Sequence, residues 1–240
     1  MLIYTSKSPG YGKLKPRQWG PISAVRSAVF RNAEAIGIDP DILRIVQVAW
    51  EGVGYTQNIV TGEFAKSPNY SWDASRGLYC NTTNADSFNT PVDITNFSVI
   101  IKITSGNYDT SERYALGNAY NGTPGILQVG FYSNVARVAI KDGNGIIRAV
   151  NSSTYYYNDD VVTIGALSRA NGLSLYADGY FQAFTSQQMD SCVIPALGFG
   201  ARLRDGYYDA KLDGYIDSTV LCADCLESSI IQQLSDTPYT

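Results

Sequence analysis

The sequence predicts an all-β protein, an antiparallel jelly-roll β-sandwich with a short helix near each end. The first observation is composition: 18 Tyr and 22 Gly occur among 240 residues, and only 17% of residues are charged. Such a composition favours strands joined by tight turns over helices. The second observation is that apolar and polar residues alternate along most of the chain after residue 42. Short strands at this pitch indicate a sandwich or barrel.

The first 41 residues differ from the rest and predict an extended arm followed by one helix. Prolines and glycines interrupt residues 1–21, and this pattern is typical of an extended segment. The helix is predicted over 22–36 and ends at Gly37 and Pro40. Its apolar residues at near-helical spacing are Ile22, Val25, Val29 and Ile36. We assign residues 42–240 to the sandwich domain.

The arm is basic, whereas the whole chain carries a net charge of -4. Its docking residues are predicted to be Lys7, Lys13, Lys15, Arg17 and Trp19, all of which precede the first acidic residue, Glu34. An arm of ~20 extended residues can reach ~65 Å, far enough to lie across another subunit. The alternative is a solvated terminus. The acidic net charge argues against nucleic acid or an anionic membrane as the partner.

Three segments carry the clearest strand signals. In "NFSVIIKIT" (96–104), a strand is predicted whose apolar residues share one face: Phe97, Val99, Ile101 and Ile103. Residues 125–150 predict three strands, with breaks at 133–134 and 142–145. Residues 161–184 predict three more, joined by Asn-Gly at 171–172 and Asp-Gly at 178–179. These dipeptides are strong hairpin signals.

The chain closes with a predicted strand and helix. Ile216, Val220 and Cys222 alternate onto one face of the strand. Asp224 and Glu227 have the spacing of a helix capping box. The predicted helix then places Leu226, Ile230 and Leu234 on one face.

The sequence C-A-D-C places Cys222 and Cys225 at this corner. A structural zinc site needs four ligands, yet the chain has no histidine, and Cys80 and Cys192 stand singly. We therefore interpret the pair as part of the fold, with a redox thiol at the helix start as the alternative.

Three closing segments carry a family resemblance: "SLYADG" (174–179), "ALGFGAR" (196–202) and "DGYIDSTVLCADCLESSIIQQL" (213–234). They resemble the last strands of the concanavalin A-like lectin/glucanase superfamily, in its laminin-G-like branch. The order G-x-I-D at 214–217 and the short helix after Leu226 match in sequence, and "WEGVGYTQNIVTG" (50–62) resembles the first strand and loop. The resemblance implies a concanavalin A-like sandwich over roughly 45–235.

The leader, with "SPGYGKLKP" followed by "WGP", resembles leaders of bacteriophage virion proteins that carry this domain. This resemblance implies a structural or decoration protein on a phage head or tail. Its partners would be other virion proteins or copies of itself, bound through the arm. The first residues lack the apolar segment of a signal peptide, so we expect synthesis in the host cytoplasm and placement on the virion surface. The alternative is a free carbohydrate-binding lectin.

Two loops are candidates for binding a glycan, because aromatic rings stack on sugar faces while Asn and Asp orient hydroxyl groups. The candidate residues are Tyr155, Tyr156, Tyr157 and Asp159 in one loop, and Tyr207, Tyr208 and Asp209 in the other. The alternative is that these tyrosines cover loop ends and subunit contacts. No cofactor is expected; the loop acids leave calcium as an alternative, although no D-x-D-x-D-G loop is present.

Catalysis is not expected. The glucanases of the superfamily use alternating carboxylates, E-x-D-x-x-E, on one strand, and retaining chemistry needs two carboxyl groups about 5 Å apart. This chain has five glutamates, and none lies within ten residues of another. Asp213 and Asp217 are interpreted as turn and register residues. Without histidine, Ser-His-Asp and Cys-His arrangements are impossible.

Overall fold

Two large β-sheets face each other in the computed structural model of the chain. The structure describes residues 22–49, 55–66, 71–73, 75–81, 86–106, 111–119 and 125–236. The helices are α1 (Ile22–Ala35) and α2 (Ser228–Asp236), and a 3-10 turn spans Pro40–Ile42. Among the described residues, no helix is long and apolar enough to cross a bilayer.

The strands are short and follow one another closely along the chain. In chain order they are β1 (Leu43–Ala49), β2 (Tyr55–Asn58), β3 (Phe64–Lys66), β4 (Ser71–Asp73), β5 (Gly77–Cys80), β6 (Asp86–Phe88), β7 (Val92–Asp93), β8 (Phe97–Thr104), β9 (Glu112–Asn118), β10 (Ile126–Tyr132), β11 (Val135–Lys141), β12 (Ile147–Tyr155), β13 (Val161–Arg169), β14 (Gly172–Ala177), β15 (Tyr180–Thr185), β16 (Val193–Ile194), β17 (Leu197–Phe199), β18 (Arg202–Arg204), β19 (Tyr207–Asp209) and β20 (Gly214–Cys222).

The pairing of these strands confirms the predicted antiparallel sandwich. The first sheet has the order β15-β14-β13-β8-β20-β1-β2-β3, with β5 on the free end of β20 and β4 beside β5. The second sheet has the order β12-β11-β10-β9-β17-β6, and β18 with its partner β19 also joins β9. The pair β18–β9 is parallel, whereas the other pairs between named strands in the described residues are antiparallel. A small sheet, β7–β16, lies apart from both.

Alternating apolar residues of both sheets form the core between them. Phe97, Val99 and Ile103 of β8 are fully buried there, as predicted. Three strands occur in 125–150 and three in 161–184, which confirms both predictions. On β11, Val138 and Ile140 point into this core, so Arg137 and Lys141 lie on the outer face of the second sheet.

A second apolar layer lies between the first sheet and the two helices. Helix α1 confirms the predicted N-terminal helix and contributes Val29, while α2 contributes Ile231, which packs over β8 and β13. A Cβ atom at Gly165 of β13 would lie 2.6 Å from Cγ2 of Ile231, so a larger residue there would require the Ile231 side chain to shift. The layer is thus specified by small and apolar residues on the outer side of the sheet.

The two predicted hairpins are present, and their turns differ. Asp178 and Gly179 have φ values of 51° and 82°, as a type I′ turn requires, which confirms the prediction. At the other hairpin Gly172 belongs to β14 and pairs with Arg169, so Ala170 and Asn171 form the turn instead. The hairpin prediction is confirmed there, whereas its turn lies one residue earlier than predicted.

The predicted common face of Ile216, Val220 and Cys222 is wrong. A register shift in the pairing of β20 with β8 occurs between Ile216 and Ser218. Ile216 therefore points into the core between the sheets, while Val220 and Cys222 point toward the helices. An extra residue in one strand reverses which face the following side chains occupy.

The predicted capping box at Asp224 is also wrong, because α2 begins four residues later, at Ser228. The carbonyl oxygen of Glu227 accepts the first helical hydrogen bonds, and Asp224 instead accepts from the Cys225 N–H at 2.7 Å. The Ser98 hydroxyl holds the intervening loop: it donates to the Asp224 carbonyl and accepts from the Leu226 N–H. Cys225 thus precedes the helix.

Candidate functional site

The outer face of the second sheet carries an open groove of about 280 Å³, here called the cationic groove. Its polar lining consists of Glu112, Gln128, Arg137, Lys141, Arg202 and Arg204. These residues come from β9, β10, β11 and β18, which lie side by side in the sheet. On β10 and β11, alternation places Gln128, Arg137 and Lys141 outward, because their neighbours along each strand belong to the core between the sheets.

Apolar and small side chains complete the cationic groove. Ile126 and Ile147 line it, and the Ile147 side chain is exposed. Ala139 lies between Arg137 and Lys141 on the outer face of β11. The small side chain at this position leaves space between the two long cationic ones. The groove therefore combines charged groups, an amide and apolar contacts, as pockets for polar organic ligands do.

Two of the four cationic side chains are held by carboxylates. Arg202 donates to both oxygens of Asp209, at 2.6 and 2.9 Å, and to Glu112 at 2.8 Å. Arg204 also contacts Asp209, at 3.4 Å. The hydrogen bond with Asp209 is the main reason that the pKa of Arg202 is raised above its usual value. Two carboxylates thus hold the Arg202 side chain in place at the groove and neutralise its charge.

Arg137 and Lys141 are different. In the described part of the chain, no carboxylate lies within salt-bridge distance of either side chain. The guanidinium of Arg137 lies over the ring of Tyr132, with Cζ 4.4 Å from the ring centre. Its Nε is buried and has no hydrogen-bond acceptor. The groove therefore presents two cations whose charge is not neutralised by the protein.

A buried hydroxyl lies among these charges. Tyr114 of β9 is fully buried, and its hydroxyl has no hydrogen bond of acceptable geometry although the Glu112 carboxylate is close. Burial, together with the charge of Glu112, raises the pKa of Tyr114 well above its usual value. Arg202 lies 5.6 Å from the centre of its ring. The charges of Glu112, Arg137 and Arg202 in the groove therefore all act on the buried Tyr114.

A second, smaller pocket of about 230 Å³ lies at one end of the first sheet and is here called the end pocket. Tyr79 and Tyr215 form its aromatic wall, with ring centres 4.9 Å apart. Arg76 lies over the Tyr215 ring and bonds Asp159 at 2.8 Å, while Tyr79 donates to Asp213 at 3.0 Å. The polar groups of this pocket are largely satisfied by one another.

The first predicted glycan loop divides between core and surface. Tyr155 and Tyr157 are exposed, whereas Tyr156 is buried against Phe131, with ring centres 6.0 Å apart. The ring of Tyr156 therefore presents no face to a ligand at the surface. Asp159 borders the end pocket, where Arg76 engages it. The structure does not bring the three tyrosines together as a platform.

The second predicted loop lies beside the cationic groove. Tyr207 is exposed and Tyr208 is partly buried. Asp209 forms ion pairs with Arg202 and Arg204. Asp209 therefore supports the groove. The predicted docking residues Lys7, Lys13, Lys15, Arg17 and Trp19 lie outside the described residues.

The groove cations were not singled out in the sequence. Alternation in "VARVAIK" is a signal that places Arg137 and Lys141 on one solvent face. No sequence signal places them in the same groove as Arg202, because this arrangement depends on the pairing of β18 with β9.

Cysteines and carboxylates form no metal centre in the described residues, where no group of three or more Cys, Asp and Glu could hold an ion. Cys222 is buried and Cys225 half buried, and both are free thiols. Burial raises the pKa of both thiols, even though Arg169 donates to the Cys225 sulfur at 2.9 Å. Asp213 accepts from Tyr79 and Asp217 contacts Lys102 at 3.5 Å, as turn and strand residues.

Comparison with known proteins identifies the fold. No family model and no curated protein matches the chain. The binding domain of botulinum neurotoxin serotype D is similar with a TM-score of 0.59 and 10% identity, over 82% of this chain and 52% of that structure. The binding domain of Paraclostridial Mosquitocidal Protein 1 gives 0.61 and 12%, again over 82% and 52%. The chain thus spans about half the length of these toxin structures.

A carbohydrate-binding module is also similar. It is the CBM40 of a Ruminococcus gnavus IT-sialidase, solved with bound alpha2,3 sialyllactose. The TM-score is 0.51 and the identity 13%, over 59% of this chain and 83% of the module. At these identities the likeness establishes a shared all-β sandwich fold.

Proposed function

We propose that the protein is a non-catalytic carbohydrate-binding module whose site is the cationic groove. The observation that carries this proposal is the groove itself, where donor, acceptor and apolar side chains surround an open space on the outer face of the second sheet. Gln128 and Glu112 can accept from sugar hydroxyl groups, and Arg137 can donate to them. Ile126 and Ile147 can contact the apolar edges of a sugar ring.

The fold comparisons support the proposal. One similar structure is a carbohydrate-binding module with a bound oligosaccharide, and others are binding domains of toxins. Binding by the present chain does not follow from a shared fold, because one fold carries many functions. The groove residues of this chain therefore carry the argument, and the comparisons make a sugar the first ligand to test.

A glycan array probed with the full chain tests the proposal. We expect binding to a defined set of glycans and a loss of that binding in Gln128→Ala and Ile147→Ser. Ile147 is 64% exposed and Val193 is 61% exposed, so Val193→Ser is the matched control and should bind as the unaltered chain does. Absence of binding to any glycan, or unchanged binding in both groove variants, would contradict the proposal.

We further propose that the module acts on the surface of a phage particle, as a structural or decoration protein joined through its basic arm. The support is the leader sequence alone, and the alternative is a free lectin. Quantitative mass spectrometry of purified particles tests this: tens to hundreds of copies per particle indicate decoration, and a handful indicate the tail. Absence from the particles would leave the free lectin.

A further inference from the structure

We infer that the cationic groove selects a sugar bearing a carboxylate, and that Arg137 and Lys141 hold this group. The inference rests on the proposed function and adds the class of glycan to it.

The four cationic side chains of the groove divide into two that carboxylates neutralise and two that they do not. Arg202 and Arg204 are engaged by Asp209, and Arg202 also by Glu112. Arg137 and Lys141 have no carboxylate partner in the parts of the chain described above. The protein therefore neutralises one side of the groove and leaves the other cationic. A neutral sugar has no need of this arrangement, whereas an acidic sugar supplies the missing charge.

A buried donor of Arg137 also lacks an acceptor. The Nε of Arg137 is buried and has no hydrogen-bond partner. Leaving a buried donor without an acceptor is unfavourable. A carboxylate has only acceptor atoms and can bind the guanidinium donors of Arg137.

The spacing of the two unneutralised cations along β11 suits an anion bound between them. Arg137 and Lys141 share the outer face, separated by Ala139, so their Cα atoms lie about 13 Å apart along the strand. Both side chains line the same groove, which places an anion between them within reach of either cation. The Tyr132 ring covers one face of the Arg137 guanidinium. Arg137 lines the groove, and a guanidinium presents donors in a fork that matches a planar group with two oxygens, such as a carboxylate.

The charge of the groove is opposite in sign to the net charge of the chain. The whole chain has a net charge of -4, yet the groove carries four cationic side chains and one carboxylate, with Asp209 adjoining. Local positive charge on an acidic protein is not a general surface property. It would attract an anionic ligand to this place and repel cations from it.

The test compares ligands that differ only in charge. The probes are a hexuronic acid oligosaccharide, its carboxyl-reduced neutral form, and a sulfated form of the neutral sugar, measured by titration calorimetry on the full chain. We expect the carboxylated form to bind about 10- to 100-fold more tightly than the reduced form. Arg137→Gln and Lys141→Gln should each weaken binding of the carboxylated form by more than they weaken binding of the reduced form, so that most of this difference is lost.

Arg31→Gln is the matched control, because Arg31 is exposed on α1, which packs on the other sheet. It should leave the preference unchanged. Equal binding of the carboxylated and reduced forms, an unchanged preference in Arg137→Gln, or tighter binding of the sulfated form would overturn the inference. Binding of the neutral form would still support the proposed function in those cases. Failure of all three probes together with an empty glycan array would refute both.

Discussion

The ion pair between Arg148 and Asp142 supports the wall of the cationic groove, and we expect its loss to be costly. Arg148 donates to Asp142 at 2.8 Å and to the Gln188 carbonyl at 2.7 Å, and the two side chains are 5% and 0% exposed. Asp142 also accepts from the backbone N–H groups of Asn144 and Ile146, at 3.1 and 2.9 Å. The pair thus closes the turn before Ile147.

The magnitude follows from burial. Arg148→Met removes one partner and leaves the Asp142 carboxylate buried with two backbone donors but no opposite charge. Breaking a buried pair in this way costs ~3–5 kcal/mol, which is a large part of the ~5–15 kcal/mol by which a domain is stable. Replacing both charges in Arg148→Met/Asp142→Asn keeps an oxygen for the backbone N–H groups. We expect the double variant to lose less stability than Arg148→Met alone.

Equilibrium unfolding in denaturant measures the free energy of unfolding for each variant. The control is Asp159→Asn, because Asp159 pairs with Arg76 and its own side chain is 75% exposed. An exposed pair contributes about 0–1 kcal/mol. A cost for Arg148→Met within about 1 kcal/mol of the control would refute the reasoning. So would a double variant as unstable as the two single changes added together.

Two further predictions concern buried groups. Burial raises the pKa of Tyr156 from 10.0 to about 12, so its contribution to stability is complete below pH 10 and is lost as pH rises through 12. Tyr156→Phe should therefore show a shallower fall in the free energy of unfolding between pH 10 and 12, and an unchanged slope would contradict the burial. Iodoacetamide should label Cys192 and Cys225 in the folded protein but Cys80 and Cys222 only on unfolding, because the latter two are fully buried. Mass spectrometry of labelled peptides checks this, and early labelling of Cys222 would count against the structure.

Local sequence patterns, such as alternation and turn dipeptides, predict much of the fold. Alternation in β8 and the Asp178-Gly179 turn act between near neighbours, so the sequence alone predicts them. The register shift near Ser218 is different, because it depends on how β20 pairs with β8. The start of α2 depends in turn on Ser98, which holds the preceding loop from a distant strand.

The sequence likewise predicts some features of the candidate sites, whereas others depend on tertiary packing. Tyrosines at 155–157 are conspicuous in the sequence, yet Phe131 covers the middle one inside the sandwich. Whether an aromatic side chain is available to a ligand depends on what packs against it, which a sequence pattern does not state. Arg137 and Lys141 are placed on one face by strand alternation.

The sequence by itself determined the all-β class, the strands in 96–104, 125–150 and 161–184 and two hairpins, because these follow from interactions between residues close in the chain. Tertiary structure alone decided that Arg202, neutralised by Asp209 and Glu112, stands across the groove from the unpaired Arg137. That arrangement arises because β18 returns to pair with β9, some 85 residues away in the chain. Contacts at such separation depend on the packing of the whole sandwich, so charge in the groove is a property of the fold.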